Sequence, residues 1–245
     1  MSASSYLSAD LKTIHAHPKQ WIRWGYFPEF IPYTLNQIFE MKANPIPIIT
    51  WVGRLIDWKH PEHCLYIADR LRSDKIEYQF KIIGTGPLEG KLKDQCKMMH
   101  LEQNVEFIGS IDYRSVRDKL AHSNVFIFTS DYNEGWGAVL NEAMNAGCAV
   151  VVNEAIGSAP ILVEHQARGY LYSNNDLESL YGYAKNLILN PELAHKMGIA
   201  AYDFIHDHYN SHVASQNLID FFSGSPVYSD IEPGCPFEPK DVQTL

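Results

Sequence analysis

The sequence predicts an α/β fold in which a doubly wound parallel sheet is flanked by helices. From residue 46 onward, short apolar runs alternate with longer amphipathic stretches, the order typical of repeated strand–helix units. Two of the runs, VFIFT at 125–129 and CAVVV at 148–152, are apolar throughout, as expected for strands covered by helices on both faces. With 245 residues, 46% of them hydrophobic, the chain is long enough for one large domain or two small ones.

The individual elements follow from this alternation. The predicted strands lie at 46–52, 79–83, 105–108, 125–129, 149–152 and 170–172. The predicted helices lie between and after them, at 60–73, 88–100, 114–122, 138–146, 176–190, 191–208 and 211–222. Pro191 favours the start assigned to the helix 191–208, because the first turn of a helix does not use its N–H groups.

The two ends do not fit the repeated pattern. Residues 1–45 contain a helical pattern from Ser4 to His15, a strand-like segment at 21–27 and the start of a Pro-containing stretch, 28–47, that we interpret as a linker. Residues 46–208 form the predicted sheet domain. Residues 209–245 are predicted to form one helix and an irregular tail rich in Pro, Gly and Ser. Ends of this kind suggest that the chain is part of a larger protein.

Composition limits the partners. The formal net charge of −9 argues against binding to nucleic acid or to an anionic membrane surface, so any anion site is local. Cys64, Cys96, Cys148 and Cys235 form no CxxC pair, which favours reduced, buried thiols over disulfides or a zinc site. No apolar run approaches the roughly 20 residues of a membrane-spanning helix. The N-terminus lacks the features of a signal peptide, and a cytoplasmic location is therefore predicted.

A pair of cations follows the first predicted strand. Arg54 and Lys59 lie in the segment GRLIDWK, at the carboxyl end of that strand, where open α/β sheets bind ligands. The guanidinium group is a two-pronged donor and the ammonium group is a compact charge, a combination suited to a diphosphate.

A second candidate segment is NEGWGAVLNEAMNAG at 133–147. Its Gly-Trp-Gly turn exposes backbone N–H groups just before a predicted helix, and both features favour an anion. Glu134 and Glu142 have the wrong charge for such a ligand. At about 1.5 Å per helical residue they lie roughly 10–12 Å apart, which suits a long ligand whose hydroxyls bind the acids. Trp136 is singled out among the tryptophans as the one that could face such a ligand.

Glycines also follow the second and third strands. Gly84 and Gly86 in IIGTGPLEG, and Gly109 with Ser110 in VEFIGSI, terminate strands but do not form the dinucleotide-binding fingerprint. The histidine-containing segments HPEHC at 60–64 and HDHYNSH at 206–212 lack the expected set of acidic or cysteine partners, so no metal site is predicted.

Taken in order, GRLIDWKHPE, IIGTGP, VEFIGSI and EGWGAVLNEAMNAG resemble the donor-binding, C-terminal half of glycosyltransferase family 4 (group 1) enzymes, which have the GT-B fold with Rossmann-like halves. The resemblance runs from about residue 46 to 205. Residues 1–45 are similar to the end of the family's N-terminal half with the linker between the halves. Residues 211–222 resemble the C-terminal helix that crosses back to that half.

The resemblance implies a role for each matching position. Arg54 and Lys59 would neutralise the donor diphosphate, so neither a metal nor a cofactor is expected. Glu134 would bind sugar hydroxyls and Glu142 the ribose hydroxyls. Arg54, Lys59 and Glu134 are thus the predicted catalytic residues, without a nucleophilic role for Glu134. The predicted donor-binding residues are Gly53, Gly84 and Gly86, then Gly109, Ser110 and Ile111 against the base, Gly135, Trp136 and Gly137 through their amides, and Ala138 and Glu142.

The implied function is transfer of a hexose from a UDP- or GDP-sugar to a glycan or lipid-linked acceptor, with retention of anomeric configuration. The implied location is cytoplasmic and peripheral to the inner face of the membrane. The acceptor-binding half is essentially absent from the sequence, so a missing N-terminal domain or a partner chain is expected to supply it.

Three departures and two alternatives accompany this interpretation. The family usually has Phe at Trp136, a bulky aliphatic residue at Ala138 and an acid near Ile161 and Leu162. The first alternative is a non-catalytic nucleotide-sugar-binding module or truncated regulatory fragment. Exposed apolar surface around the aromatic cluster at 21–27 would instead indicate a partner domain. The second alternative is another enzyme on a similar scaffold, such as a nucleotide-sugar epimerase or a phosphorylase, for which the sequence shows no cofactor lysine or placed base.

Overall fold

A computed structural model of the chain describes residues 4–6, 11, 13–14 and 24–223. The strands are β1 (Ile48–Val52), β2 (Gln79–Ile83), β3 (Val105–Gly109), β4 (Val125–Phe128), β5 (Ala149–Asn153) and β6 (Tyr170–Tyr172). The helices are α1 (Leu35–Lys42), α2 (Glu62–Ser73), α3 (Glu89–Met98), α4 (Tyr113–Ala121), α5 (Val139–Asn145), α6 (Ala159–Leu162), α7 (Leu177–Leu189), α8 (Pro191–His208) and α9 (Ser211–Phe222). A 3-10 turn, Asp57–Lys59, precedes α2.

The strands form one parallel sheet in the order β3-β2-β1-β4-β5-β6. The chain moves outward from β1 to β3 and then returns to the other side of β1 with β4. Neighbouring loops at the carboxyl ends of β1 and β4 therefore diverge, and sheets of this kind bind ligands in the crevice between them. The predicted doubly wound α/β fold is confirmed.

Alternating side chains of the strands form two hydrophobic layers. Ile127 points into a layer with Trp51 and Phe80, under α2 and α7, whereas its neighbours Phe126 and Phe128 point into the opposite layer. All four residues of β4 and all five of β5 are buried, which explains why β4 is apolar throughout and β5 is apolar up to its last residue, Asn153.

One helix lies where the sequence was interpreted as a linker. Helix α1 occupies part of 28–47 and begins with a capping box: the Gln37 amide donates to Thr34 Oγ1 (3.2 Å), and the Thr34 amide donates to Gln37 Oε1 (2.8 Å). Ile38 is fully buried. Lys42 Nζ donates to the carbonyls of Leu120 (2.9 Å) and Ser123 (2.6 Å), so both ends of this short helix are fixed.

The remaining terminal predictions are tested in part. Leu11 and Thr13 are helical, as predicted for 4–15, but residues 24–27 are not in a strand. Residues 4–6 form a bend and Ile14 a turn, so the prediction of a helix is wrong at these positions. Residues 7–10, 12, 15 and 21–23, including Trp21, and the tail 224–245 with Cys235 lie outside the described residues. The other three cysteines are buried and free, as predicted. No helix within the described ranges is long and apolar enough to cross a membrane.

Two helical glycines differ in their surroundings. A Cβ atom at Gly198 of α8 would lie 2.2 Å from the carbonyl oxygen of Gly147, in the turn before β5. At Gly182, on the exposed side of α7, the same atom would meet nothing within 4 Å. The absence of a side chain at Gly198 therefore lets α8 pack against the backbone, whereas Gly182 lowers helix stability without a packing benefit.

We therefore expect opposite results from the same substitution. Gly182→Ala should raise the free energy of unfolding by about 0.5–1 kcal/mol, the usual helical advantage of alanine. Gly198→Ala should lower it, because backbone atoms must move to admit the methyl group. Urea unfolding followed by circular dichroism measures both. Equal effects of the two substitutions would contradict the described packing of α8.

Candidate functional site

The loops that follow β1 and β4 are joined by hydrogen bonds at the carboxyl edge of the sheet. The Asp131 amide donates to the carbonyl of Trp58 (3.0 Å), and Thr129 Oγ1 donates to the carbonyl of Lys59 (2.6 Å). Trp51 Nε1 in turn donates to Thr129 Oγ1 (2.9 Å). These contacts hold the two loops side by side at the point where the strand order reverses.

Lys59 and Glu134 form an ion pair across this junction. Lys59 Nζ contacts Glu134 Oε2, and the two side chains are only 14% and 13% exposed. Ser130 Oγ donates to the same carboxylate oxygen (3.2 Å), and the ammonium group lies 4.7 Å from the centre of the Trp58 ring. The structure thus brings together two of the predicted catalytic residues.

Arg54, the third predicted catalytic residue, stands apart from this pair. It lies in the loop after β1, its side chain is exposed, and it makes no ion pair or side-chain hydrogen bond with the described part of the chain. Its guanidinium group is therefore available for an anion that approaches the edge of the sheet.

The glycine-rich turn after Glu134 lines a pocket of about 430 Å³. Its wall consists of Ser4, Tyr26, Glu134, Gly135, Trp136, Gly137 and Ala138. Gly137 has a φ of +78°, and a Cβ atom there would lie 2.4 Å from the Phe128 ring, so the turn requires glycine at this position. Within residues 24–223, none of the amides of 135–137 donates a hydrogen bond to the protein itself.

The side chain of Trp136 packs in the core, so the expectation that it could face a ligand was wrong. It is 3% exposed, stacks on Tyr209 with ring centroids 5.7 Å apart, and donates from Nε1 to Asn141 Oδ1 (2.9 Å). Its ring also covers Gly25, where a Cβ atom would approach it to 2.7 Å. The indole fills the space that this glycine leaves, and Trp136 lines the pocket through its main chain.

The glycines after β1 and β2 allow close packing of backbones. The Gly53 amide donates to the carbonyl of Ile83 (3.0 Å), and a Cβ atom at Gly84, whose φ is +130°, would lie 1.9 Å from the Gly53 oxygen. A Cβ atom at Gly86 would lie 2.4 Å from the carbonyl oxygen of Leu55. These glycines therefore bring the two loops into contact.

The end of β3 leaves open space beside this contact. The Gly84 amide donates to the carbonyl of Gly109 (2.8 Å), whose φ is +79° and where a Cβ atom would meet nothing within 4 Å. Ser110 is exposed and Ile111 is partly buried. A flat group can approach the backbone here.

Glu142 lies in the first turn of α5, which begins at Val139, one residue after the predicted start at 138. Its side chain is 21% exposed, and burial raises its pKa against the opposing effect of Arg117, whose Nε lies 4.0 Å from Glu142 Oε1. Arg117 also donates to the side chain (2.8 Å) and the carbonyl (2.9 Å) of Glu29. Sequence reasoning missed Arg117, which α4 brings to α5.

Ile161 and Leu162 stand about where the family usually has an acidic residue. Both side chains are buried in α6, with 2% and 0% exposure, so neither presents a polar group to the pocket.

The segment HPEHC, interpreted from sequence as lacking partners, forms a compact cluster. One potential ligand atom from each of His60, Glu62 and His63 lies within 4.8 Å of the other two. His63 is buried, which lowers its pKa to about 4 and keeps its ring neutral. Asp131, from the loop after β4, lies against His60, with 3.4 Å between Oδ2 and Nε2.

The sequence is similar to a known protein family and to relatives in bacteria. The family model described as glycosyl transferases group 1 matches residues 37–204. An uncharacterized glycosyltransferase of Haemophilus influenzae is 30% identical over 142 residues, which are 58% of this chain and 39% of the relative. The amylovoran biosynthesis glycosyltransferase AmsK of Erwinia amylovora is 28% identical over 203 residues, 81% of this chain and 49% of the relative. The chain spans less than half the length of these two relatives.

Solved structures show the same fold at low sequence identity. A crystal structure of a Staphylococcus aureus TarM variant with fondaparinux, alpha-GlcNAc-glycerol and UDP superposes with a TM-score of 0.76 at 19% identity, covering 90% of this chain and 43% of that one. The C-terminal domain of a glycosyl transferase group 1 family protein, LpcC of Francisella tularensis, gives a TM-score of 0.61 at 20% identity, covering 74% of this chain and 95% of that domain. Since the family model matches well over half of the chain, the chain belongs to the glycosyl transferases group 1 family.

Proposed function

We propose that this chain is the donor-binding half of a retaining hexosyltransferase. In this proposal a hexose passes from a UDP- or GDP-sugar to a glycan or lipid-linked acceptor, which another domain or a partner chain holds. The observation that carries the proposal is the grouping of Lys59, Glu134 and the amides of 135–137 in one crevice at the switch point of the sheet. Amides and cations suit a diphosphate, and the acid suits hydroxyl groups of the same ligand.

In this proposal each charged residue binds a different part of the donor. Arg54 and Lys59 neutralise the diphosphate. When Lys59 contacts the diphosphate it leaves its ion pair with Glu134, and the Glu134 carboxylate can then accept hydrogen bonds from the sugar. Glu142 accepts hydrogen bonds from the ribose, while the open backbone at Gly109 and Ser110 receives the base. No metal or cofactor is part of the proposal.

The difficult step is cleavage of the bond between the anomeric carbon and the phosphate oxygen. The diphosphate leaves with the bonding electrons, so fixed positive charge beside it lowers the barrier. The acceptor oxygen then bonds to the same carbon on the face that the diphosphate vacates and loses its proton. This arrangement retains configuration and assigns no nucleophilic role to Glu134.

Two relatives support the substrate classes. The TarM structure contains UDP, which favours a UDP-sugar among the candidate donors. The name of AmsK refers to amylovoran biosynthesis, which favours a growing glycan as the acceptor. We propose that the reaction takes place in the cytoplasm, peripheral to the inner face of the membrane.

The donor site is tested first by calorimetry with chelator-treated protein and a panel of UDP-, GDP- and ADP-sugars. We expect one nucleotide class to bind, and Arg54→Ala to weaken that binding about 10- to 100-fold, the loss of a charge-assisted hydrogen bond. Lys97→Ala is the matched control, because Lys97 is an exposed cation of α3 and its removal changes the net charge equally.

Equal losses in Arg54→Ala and Lys97→Ala would show that the effect is one of overall charge rather than a diphosphate contact. Absence of binding to every member of the panel would contradict a donor site formed by this chain.

The role of Glu142 is tested in the same assay. Glu142→Ala should weaken binding by about 1.5–3 kcal/mol, because hydroxyl donors lose a charged acceptor. The fold should persist, since the carboxylate is half-buried rather than part of the core. Glu102→Ala, at an exposed acid in the turn after α3, should bind like the wild type. Weakening of equal size in both variants would contradict a ribose contact.

Acidification should weaken binding through the same carboxylate. Burial raises the pKa of Glu142, so its charge is lost at a higher pH than that of an ordinary glutamate as the solution is acidified. Both phosphates of a nucleotide-sugar are esterified and do not titrate in this range. Calorimetry across mildly acidic pH should show a fall in affinity for the wild type and a flatter profile for Glu142→Gln. Parallel profiles would assign the pH dependence to another group.

A further inference from the structure

A cluster of imidazole and carboxylate groups lies beside, but not in, the pocket described above. His60 follows the 3-10 turn, and Glu62 and His63 begin α2. Glu62 Oε1 lies 3.0 Å from Nδ1 of His60 and 3.9 Å from Nε2 of His63. One carboxylate oxygen thus stands between two ring nitrogens that belong to different side chains.

These distances are close to those of a zinc site. Zinc binds His nitrogen and carboxylate oxygen at about 2.0–2.2 Å, so tetrahedral ligand atoms lie roughly 3.3–3.6 Å apart. The two measured separations fall on either side of this range. The side chain of Glu62 is 44% exposed, so its carboxylate can move to even out the two separations, whereas the ring of His63 is held by burial.

An outer carboxylate completes the pattern. Asp131 Oδ2 lies 3.4 Å from Nε2 of His60, the ring nitrogen that faces away from Glu62. Histidines that bind metals usually donate their other N–H to a carboxylate or a carbonyl, which fixes the tautomer and the orientation of the ring. Asp131 comes from the loop after β4, so the sequence around HPEHC gives no indication of it.

The residues around His60 and Glu62 favour a cation, and the position between them is accessible from a pocket. A pocket of about 250 Å³ opens on His60 and Glu62 and is also lined by Asp57, Lys91 and Gln95. The lining carries two acids, Asp57 and Glu62, against one lysine, Lys91. His60 has a φ of +48°, a costly backbone conformation that persists where the surroundings hold the residue in place.

We propose that His60, Glu62 and His63 bind one zinc-type divalent cation, with Asp131 as the outer partner of His60 and water at the open position. The site is separate from the proposed donor pocket and does not depend on the proposed function. The ion would join the start of α2 to the loop after β4, next to the peptide that carries Lys59. Its effect would be to fix that loop rather than to contact the diphosphate.

The test is a calorimetric titration of the full chain, prepared without a histidine tag and stripped of metal, with Zn²⁺. We expect one ion per chain, with Co²⁺ giving the visible absorption of a four-coordinate site. Glu62→Gln and His60→Asn should each weaken Zn²⁺ binding by at least about tenfold, and Asp131→Asn by about 10- to 100-fold, as for outer-shell partners elsewhere. Asparagine is used at residue 60 because it tolerates positive φ.

His100→Asn is the matched control for His60→Asn. His100 also has a positive φ, +53°, but it is exposed and lies in the turn after α3, away from the cluster. We expect it to bind Zn²⁺ like the wild type. The proposal is overturned if the wild type shows no stoichiometric binding, if His60→Asn and Glu62→Gln both bind like the wild type, or if His100→Asn loses as much affinity as His60→Asn. Because the nucleotide-sugar titrations use chelator-treated protein, failure of one proposal is distinguishable from failure of the other.

Discussion

The ion pair between Lys59 and Glu134 is the contact on which the geometry of the site depends. It joins the loops after β1 and β4 at the point where the strand order reverses, and hydrogen bonds from Asp131 and Thr129 to the carbonyls of Trp58 and Lys59 support it. Both side chains are largely removed from water, so loss of one partner leaves the other charge without compensation. A ligand that takes Lys59 must therefore also satisfy Glu134. Under the proposed function this favours molecules that carry a phosphate and hydroxyl groups together over phosphate alone.

The fold was largely predictable because the strands are separate, mostly apolar segments. The signal is clearest in β4 and β5, which are buried on both faces and in which Asn153 is the one polar residue. Helix α1 was missed because it is only eight residues long and lies in a Pro-containing stretch. Its capping box, with Thr34 three residues before Gln37, was nevertheless present in the sequence and is the signal that locates it.

The site was predictable to the level of loops but not of contacts. Residues at the carboxyl ends of parallel strands share one edge of the sheet, so Lys59 and Glu134 were placed in the same region. Their direct pairing, the approach of Arg117 to Glu142 and that of Asp131 to His60 depend on side-chain directions set by packing between distant segments. Trp136 shows the limit most clearly. Its place in the turn was predicted correctly, but its ring packs in the core, in the space beside Gly25 where a side chain would not fit.

The segment 24–30 touches the site at two places. Gly25 lies against the indole of Trp136, whose main chain lines the pocket, and Glu29 holds Arg117, which faces Glu142. A displacement of this segment would consequently change the contacts of both Trp136 and Arg117. Segment 24–30 therefore contacts both a residue whose main chain lines the pocket and the arginine that faces Glu142.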